Sequence, residues 1–281
     1  MSTITNTDAG KHSATPGSMF RSIWENRGVI WLLAKRDIQS RYKGSYIGLV
    51  WALINPLLML LIYTFVFSVI FRARWAADAG ESRTQFAFVM FVGVIVHGMF
   101  AEVVNRAPGI VLENTNYVTK VVFPLQILPV ISLGNAIFQG LAGTVVLLLG
   151  MILSGGGLHW HALMLPLVFA PLLIMMVGIG WMLAALGVFI RDLKQTTMFV
   201  TTALLFLSPV FYPQSAWPQQ YQWLFLFNPL TFIMEQSRQV LIWGAWPDLL
   251  GLLLYSLAAL GIAWLGYFSF QRLRTGFADV L

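Results

Sequence analysis

Five charges crowd the nine residues from Lys35 to Lys43: Lys35, Arg36, Asp37, Arg41 and Lys43. From Gly44 to Phe71 there is then no charge at all. Grouped this way before an apolar run, the bases read as an interfacial anchor and orientation signal, with partner docking as the sharper alternative. Asp37 and Arg41 stand four apart, so an ion pair along one helix face is expected. A second polar group sits in Asn105–Lys120, NRAPGIVLENTNYVTK, with Glu113, Asn114, Asn116 and Tyr117. Pro108 opens a short helical piece there, which the run Asn114-Thr115-Asn116 is expected to end. A third group is the tight basic turn from Arg191 and Asp192 to Gln195.

Other chemistry is missing from the sequence. No cysteine is present, so there is no thiolate nucleophile, disulfide or cysteine metal site. No G-x-x-x-x-G-K-[ST] occurs, so a nucleotide phosphate cannot be cradled by a P-loop. His159 and His161 form an H-x-H pair, expected to be solvated loop residues rather than metal ligands. His97 precedes Glu102 by five residues, but Glu102 lies near the inner boundary, followed by Asn105 and Arg106, so interfacial pairing is the simpler account. Asp37, Glu113 and Asp192 are scattered, each beside a base, which disfavours an acid–base catalytic pair. The apolar runs carry no paired carboxylates for a proton relay.

The elements that position these groups are membrane helices. Of 281 residues, 58% are hydrophobic and 10% charged, against about 25% charged in soluble domains. A membrane helix needs roughly 20 apolar residues. Charge-free runs occur at Gly44–Phe71, Thr84–Ala101, Val121–Ile190, Gln195–Met234 and Leu249–Gln271. The third is broken by Ser154–His161 into two helices. The fourth is interrupted at Ser208-Pro209-Val210-Phe211-Tyr212-Pro213. That gives a fifth helix near Gln195–Phe211 and a short apolar piece, Tyr221–Ile242, broken at Asn228-Pro229. The expected fold is therefore an all-α integral membrane protein with six transmembrane helices. A re-entrant outer hairpin lies between the fifth and sixth spans. Residues 1–18 read as a disordered cytoplasmic tail, 19–43 as an amphipathic interface helix, 44–271 as the six-helix domain and 272–281 as a cytoplasmic tail.

With the N-terminus inside, thirteen of the 17 bases fall in inner segments. Arg72, Arg74, Arg83 and Arg238 are the outer exceptions. Both termini are thus expected in the cytoplasm. Such bases beside apolar runs point to anionic membrane lipids rather than to nucleic acid. Phe20, Ile23, Trp24, Ile30, Trp31, Ala34 and Ile38 fall near one face of a helix lying in the inner interface. Pro56 is expected to kink the first span. Trp51, Tyr63, Phe65, Phe67 and Phe71 read either as lipid-facing bulk or as stacking faces for sugar rings.

Taken in order, several short motifs carry a resemblance. They are Arg36-Asp37, Arg41-Tyr42, Gly48, Trp51, Asn55-Pro56-Leu57 and Tyr63-Thr64-Phe65. Asn114 to Lys120, Phe123-Pro124, Pro129 and Arg191-Asp192 follow. Ser208 to Pro213, Asn228-Pro229-Leu230 and the terminal Gly276-Phe277-Ala278-Asp279-Val280-Leu281 complete the series. The sequence resembles the permease subunits of bacterial ABC exporters for polysaccharides, the Wzm type that exports O-antigen. The resemblance implies a homodimer of six-helix permeases in the inner membrane, bound to two copies of a separate ATPase. ATP and magnesium would be held by that partner, with no cofactor in this chain. The substrate would be a polysaccharide on a polyprenyl diphosphate lipid. The N-terminal helix and the loop after the second span would contact the ATPase.

Roles follow for each group on that basis. Glu113, Asn114, Asn116, Tyr117, Arg191 and Asp192 are the expected coupling residues. Arg36, Asp37, Arg41, Tyr42 and Lys43 form the expected inner gate for the lipid diphosphate. Trp51, Tyr63, Phe67 and Tyr212 are the expected channel aromatics, where stacking tolerates a sliding glycan. Pro56, Pro209, Pro213, Asn228 and Pro229 are the expected bends and outer gate. The alternatives are a permease of the same type for capsule or teichoic acid, and more distantly a membrane enzyme acting on polyprenyl-linked sugars. A secondary transporter with inverted repeats is disfavoured by the missing coupling acids.

Overall fold

The computed structural model describes residues 14–70, 75, 83–119, 123–155 and 157–280. The expected tail over 1–13, together with Arg72, Arg74, Lys120 and Leu281, lies outside the described residues. Twelve α-helices are described. They are α1 (Pro16–Glu25), α2 (Arg27–Tyr42), α3 (Trp51–Tyr63), α4 (Arg83–Arg106), α5 (Thr115–Thr119) and α6 (Leu128–Leu153). Then come α7 (Leu165–Phe189), α8 (Leu193–Leu207), α9 (Leu224–Phe227), α10 (Pro229–Arg238), α11 (Leu249–Leu273) and α12 (Phe277–Val280).

Five helical stretches are long and apolar enough to cross a membrane: Gly48–Phe67, Thr84–Gly109, Leu125–Leu153, Trp160–Phe189 and Leu249–Gly276. The fifth span expected at Gln195–Phe211 is a shorter apolar helix, Leu193–Leu207. It stops one residue before Ser208-Pro209, because proline cannot supply the next backbone donor. Pro209 therefore ends α8 and does not bend it. The break expected at Ser154–His161 is present. α6 ends at Leu153, and Gly155 turns the chain at φ +79°, a conformation open to glycine.

Helix α4 is the centre of the bundle. Phe86, Val89, Met90, Val92, Val96 and Val103 are all shut off from the surface. By contrast α11 turns Leu250, Leu253, Leu254, Leu257 and Leu265 outward, the pattern of a helix against lipid. The closest helix contact joins α7 to α11. A Cβ on Gly266 would stand 2.0 Å from the Gly178 carbonyl oxygen, and one on Gly178 would meet Ala263 backbone at 2.6 Å. Small residues allow this approach, which compensates for the lack of a hydrophobic drive between helices in lipid.

At the N-terminus, Thr15 caps α1 by accepting from Ser18 N, and Pro16 occupies the first turn. Residues 16–18 thus belong to the helix, not to the tail. The interface helix is two segments, parted at Asn26. This shifts the expected apolar face. Ile23, Ile30, Ala34 and Ile38 turn toward the bundle, while Phe20, Trp24 (70% exposed) and Trp31 (72% exposed) point away. The C-terminal residues are also folded: Phe277 is buried between Phe189 and Phe270.

Candidate functional site

The charged groups converge at one end of the bundle, where α2, the C-terminus of α4, the N-terminus of α6 and the start of α8 meet. Arg106, at the last turn of α4, donates through both terminal nitrogens to the two carboxylate oxygens of Asp37. Asn135 of α6 donates to the same carboxylate. Asp37 therefore joins three helices. It does not take Arg41, the partner expected from their spacing. Arg41 instead forks onto Glu102 of α4. His97 turns toward α8, where its Nε2 lies 2.8 Å from the Thr201 carbonyl oxygen. A carbonyl can only accept, so this nitrogen carries the hydrogen.

The loop after α4 is tied into this network. Lys194 of α8 reaches Glu113 at 3.6 Å. The Tyr117 hydroxyl accepts from Arg36 Nη2 at 3.4 Å, and its ring stacks on Phe123 with centroids 4.3 Å apart. Asn114 donates to the Ile110 carbonyl at 2.9 Å. Asn114-Thr115-Asn116 does not end the helical piece as expected, because α5 begins at Thr115. Beneath the loop, a Cβ on Gly187 of α7 would stand 2.1 Å from the Pro108 carbonyl oxygen. The Pro108 backbone thus rests directly on α7. Glu113, Asn116, Arg191 and Asp192 are exposed, whereas Tyr117 is half-buried.

Several cavities open at this end, among them the following two. One, about 230 Å³, is lined by Arg36, Asp37, Ser40, Arg106, Asn114 and Tyr117 among others. It joins the expected coupling residues to the expected gate residues. The other, about 490 Å³, lies between α3, α4 and α6. Arg41, Tyr42, Trp51, Asn55, Pro56 and Gln139 supply its polar, aromatic and proline lining. Its base–aromatic–amide composition suits an anionic headgroup followed by a sugar ring. Lys43 is exposed and lines neither cavity. Pro56 sits inside α3, where its missing N–H leaves the Ala52 carbonyl without its helical donor.

The four expected channel aromatics lie in three places. Trp51 lines the larger cavity. Tyr63 and Phe67 lie toward the other end of the bundle, around Phe211, and Phe67 stacks on Phe211 at 5.4 Å. Tyr212 turns away from them toward Trp217 at 6.1 Å, and its hydroxyl donates to the Phe206 carbonyl. Burial pushes the Tyr212 phenol up from its ordinary value, so it stays a donor. Phe65 is exposed, as lipid-facing bulk should be. At Asn228-Pro229 the expected break is present. The Asn228 side chain accepts from Leu230 N and donates to Ser208 Oγ at 2.8 Å, joining the two interruptions. Pro213 is half-buried just past the first of them.

Arg238 is corrected from an outer loop base to the most buried charge in the described chain, at 0% exposure. Its Nε donates to the Val89 carbonyl at 3.0 Å, and Nη2 donates to the Pro209 carbonyl at 2.5 Å. Nη1 pairs with Glu235 at 2.8 Å, as their spacing predicts, and the guanidinium lies 4.2 Å over the Trp75 ring. One side chain thus holds α4, the end of α8 and α10 together. Arg106, Glu102, Asn135 and Arg238 were not singled out as site residues from sequence. The available signal was an ionisable or amide group inside an otherwise apolar run.

Known proteins match this chain along most of its length. The family described as ABC-2 type transporter matches residues 28–242. An O-antigen export system permease protein of Myxococcus xanthus is 28% identical over 264 residues, covering 93% of this chain and 98% of the relative. One from Klebsiella pneumoniae is 23% identical, covering 89% of this chain and 93% of the relative. A polysialic acid transport protein of Escherichia coli is 27% identical over 234 residues, covering 80% and 86%. With most of its length matched by one family, and with most of its described charges at one end of an apolar helical bundle, the chain belongs to the ABC-2 type transporter family.

Proposed function

We propose that this chain is the permease subunit of an ATP-driven exporter. Its cargo is a polysaccharide linked to a polyprenyl diphosphate, of the O-antigen type, moved from the cytoplasm across the inner membrane. The carrying observation is the end-to-end likeness to an O-antigen export permease. A capsule polymer is the second reading, favoured by the likeness to a polysialic acid transport protein.

The working unit is a homodimer of this chain with two copies of a separate ATPase, which binds ATP and magnesium. The missing P-loop supports a separate energy source. Six spans are completed by α8, with α9 and α10 as a re-entrant outer hairpin and α1–α2 in the inner interface. The excess of bases at the α2 end supports cytoplasmic termini. The burial of Arg238 removes one of the four exceptions.

In this mechanism the partner pushes on Glu113, Asn116 and Tyr117. Arg36 and the Arg106–Asp37 pair carry the displacement to α2, and Lys194 carries it to α8. Arg36, Arg41 and Lys43 attract the diphosphate, and Arg41 exchanges Glu102 for phosphate as the carrier enters. The larger cavity then receives the first sugars against Trp51 and Tyr42. Export is tested in vesicles holding both chains and a labelled lipid-linked glycan. ATP-dependent protection of the label inside the vesicle supports the reading. Transfer by this chain alone under an ion gradient would sink it.

A further inference from the structure

Helix α2 lies along α6, and a Cβ on Gly134 of α6 would touch Ala34 Cβ at 2.8 Å. Beside this contact runs an apolar slot of about 630 Å³. Ile30, Ala34 and Ile38 form one wall, and Leu133, Ile137 and Leu141 the other. The rim on α2 carries Arg27, Trp31, Lys35 and Gln39. These recur every fourth residue, so they make one stripe about 18 Å long.

The charge at this rim has one sign. No Asp or Glu lines the slot. Arg27 uses one nitrogen on the Trp24 carbonyl at 2.9 Å and stacks on that ring at 4.8 Å. Its remaining N–H groups suit an external acceptor. Lys35 is exposed. A hydrocarbon-lined slot edged by two cations matches an acyl chain that ends in a phosphate, and basic pockets between membrane helices take anionic headgroups.

We propose that this slot is a binding site for an anionic phospholipid, with one acyl chain between α2 and α6 and the phosphate between Arg27 and Lys35. Such a lipid would fill the notch beside α2 and fix the helix that carries Arg36, Asp37 and Arg41. The inference does not depend on the exported cargo. It requires only that α2 lies at the membrane surface.

The test uses the full chain in nanodiscs containing phosphatidylethanolamine and phosphatidylglycerol, with tightly retained lipid counted by mass spectrometry after detergent extraction. Each base is worth about fivefold in affinity, so R27Q with K35Q should weaken phosphatidylglycerol retention about twenty-five-fold. I137W, which fills the slot and keeps both charges, should lose retention as well. R21Q is the control, because Arg21 pairs with Glu25 and lies off the slot. Single R27Q and K35Q variants, each expected to lose about fivefold, guard against misfolding of the double variant. Unchanged retention in R27Q/K35Q or in I137W would overturn the proposal. So would wild-type chain that keeps no phosphatidylglycerol.

Discussion

Arg106 holds both carboxylate oxygens of Asp37 across 69 residues of chain. Both side chains are largely buried, so neither can lose its partner to water without cost. D37N should destabilise the protein by about 3 kcal/mol, read as a lower midpoint of thermal unfolding in detergent. R106Q should do the same, and the double variant should cost less than the two singles added. Strict additivity would mean that the pair contributes nothing beyond its separate helices.

At Tyr117 the ring matters more than the hydroxyl. Y117F keeps the stack on Phe123 and loses only the 3.4 Å contact to Arg36. It should leave partner-stimulated ATP hydrolysis within about twofold of wild type, since one long hydrogen bond is worth little. Y117A and E113K should each uncouple hydrolysis from export while the permease still folds. The check is stimulated ATPase rate beside glycan export in the same vesicles, and normal coupling in both variants would remove the loop from the coupling path.

Gly187 offers a way to disturb that loop from beneath. A methyl group there meets the Pro108 carbonyl oxygen at 2.1 Å and must push the backbone away. G187A should cost about 1–3 kcal/mol through overpacking and should lower ATPase stimulation without touching any exposed residue. Loss of stability with coupling retained would separate the loop's position from its function.

Arg238 and Glu235 should rank differently. R238M strips the guanidinium from the Val89 and Pro209 carbonyls and leaves Glu235 unpaired, at a cost of about 3–5 kcal/mol. E235Q retains an acceptor for Arg238 and should cost less. Unfolding midpoints of the two variants decide the order. Equal losses would show that the carboxylate, and not the carbonyl fork, holds the arginine.

Arg41 is spoken for by Glu102, so its role in capture is a competition between two anions. R41A should weaken carrier binding roughly tenfold, the scale of one charge-assisted contact. E102Q should strengthen it by releasing the guanidinium. Equilibrium binding of a polyprenyl diphosphate to the purified chain measures both. An E102Q variant that binds more weakly would reassign Glu102 from competitor to positioning residue.

Local patterns survived the passage from sequence to structure, and distant ones did not. Apolar runs, the glycine break at Gly155 and the Asn228-Pro229 interruption depend on neighbouring residues, so they were legible. The Asp37 partner was not, because spacing on one helix favours Arg41 while the bundle brings Arg106 and Asn135 closer. Reading α1 and α2 as one helix merged two faces, since Asn26 resets the rotation between Trp24 and Ile30. Arg238 was misread for a related reason. Its charge suggested water, but its needs are met by carbonyls that exist only where α8 stops and by Trp75. The four aromatics were assigned to the channel from type alone, and only helix rotation decides which of them meet.

The shortness of α8 bears on how far a polymer must travel through a dry passage. Fifteen residues rise about 22 Å, some 8 Å less than the hydrocarbon thickness of a bilayer. If α8 starts at one surface, the chain leaves helical form at Ser208 while still below the opposite one. Tyr212, Asn228 and Arg238 take up the Phe206, Leu207 and Pro209 carbonyls there, so the chain can leave helical form below the headgroups, and a sugar polymer passing beside α8 would cross a thinner dry barrier.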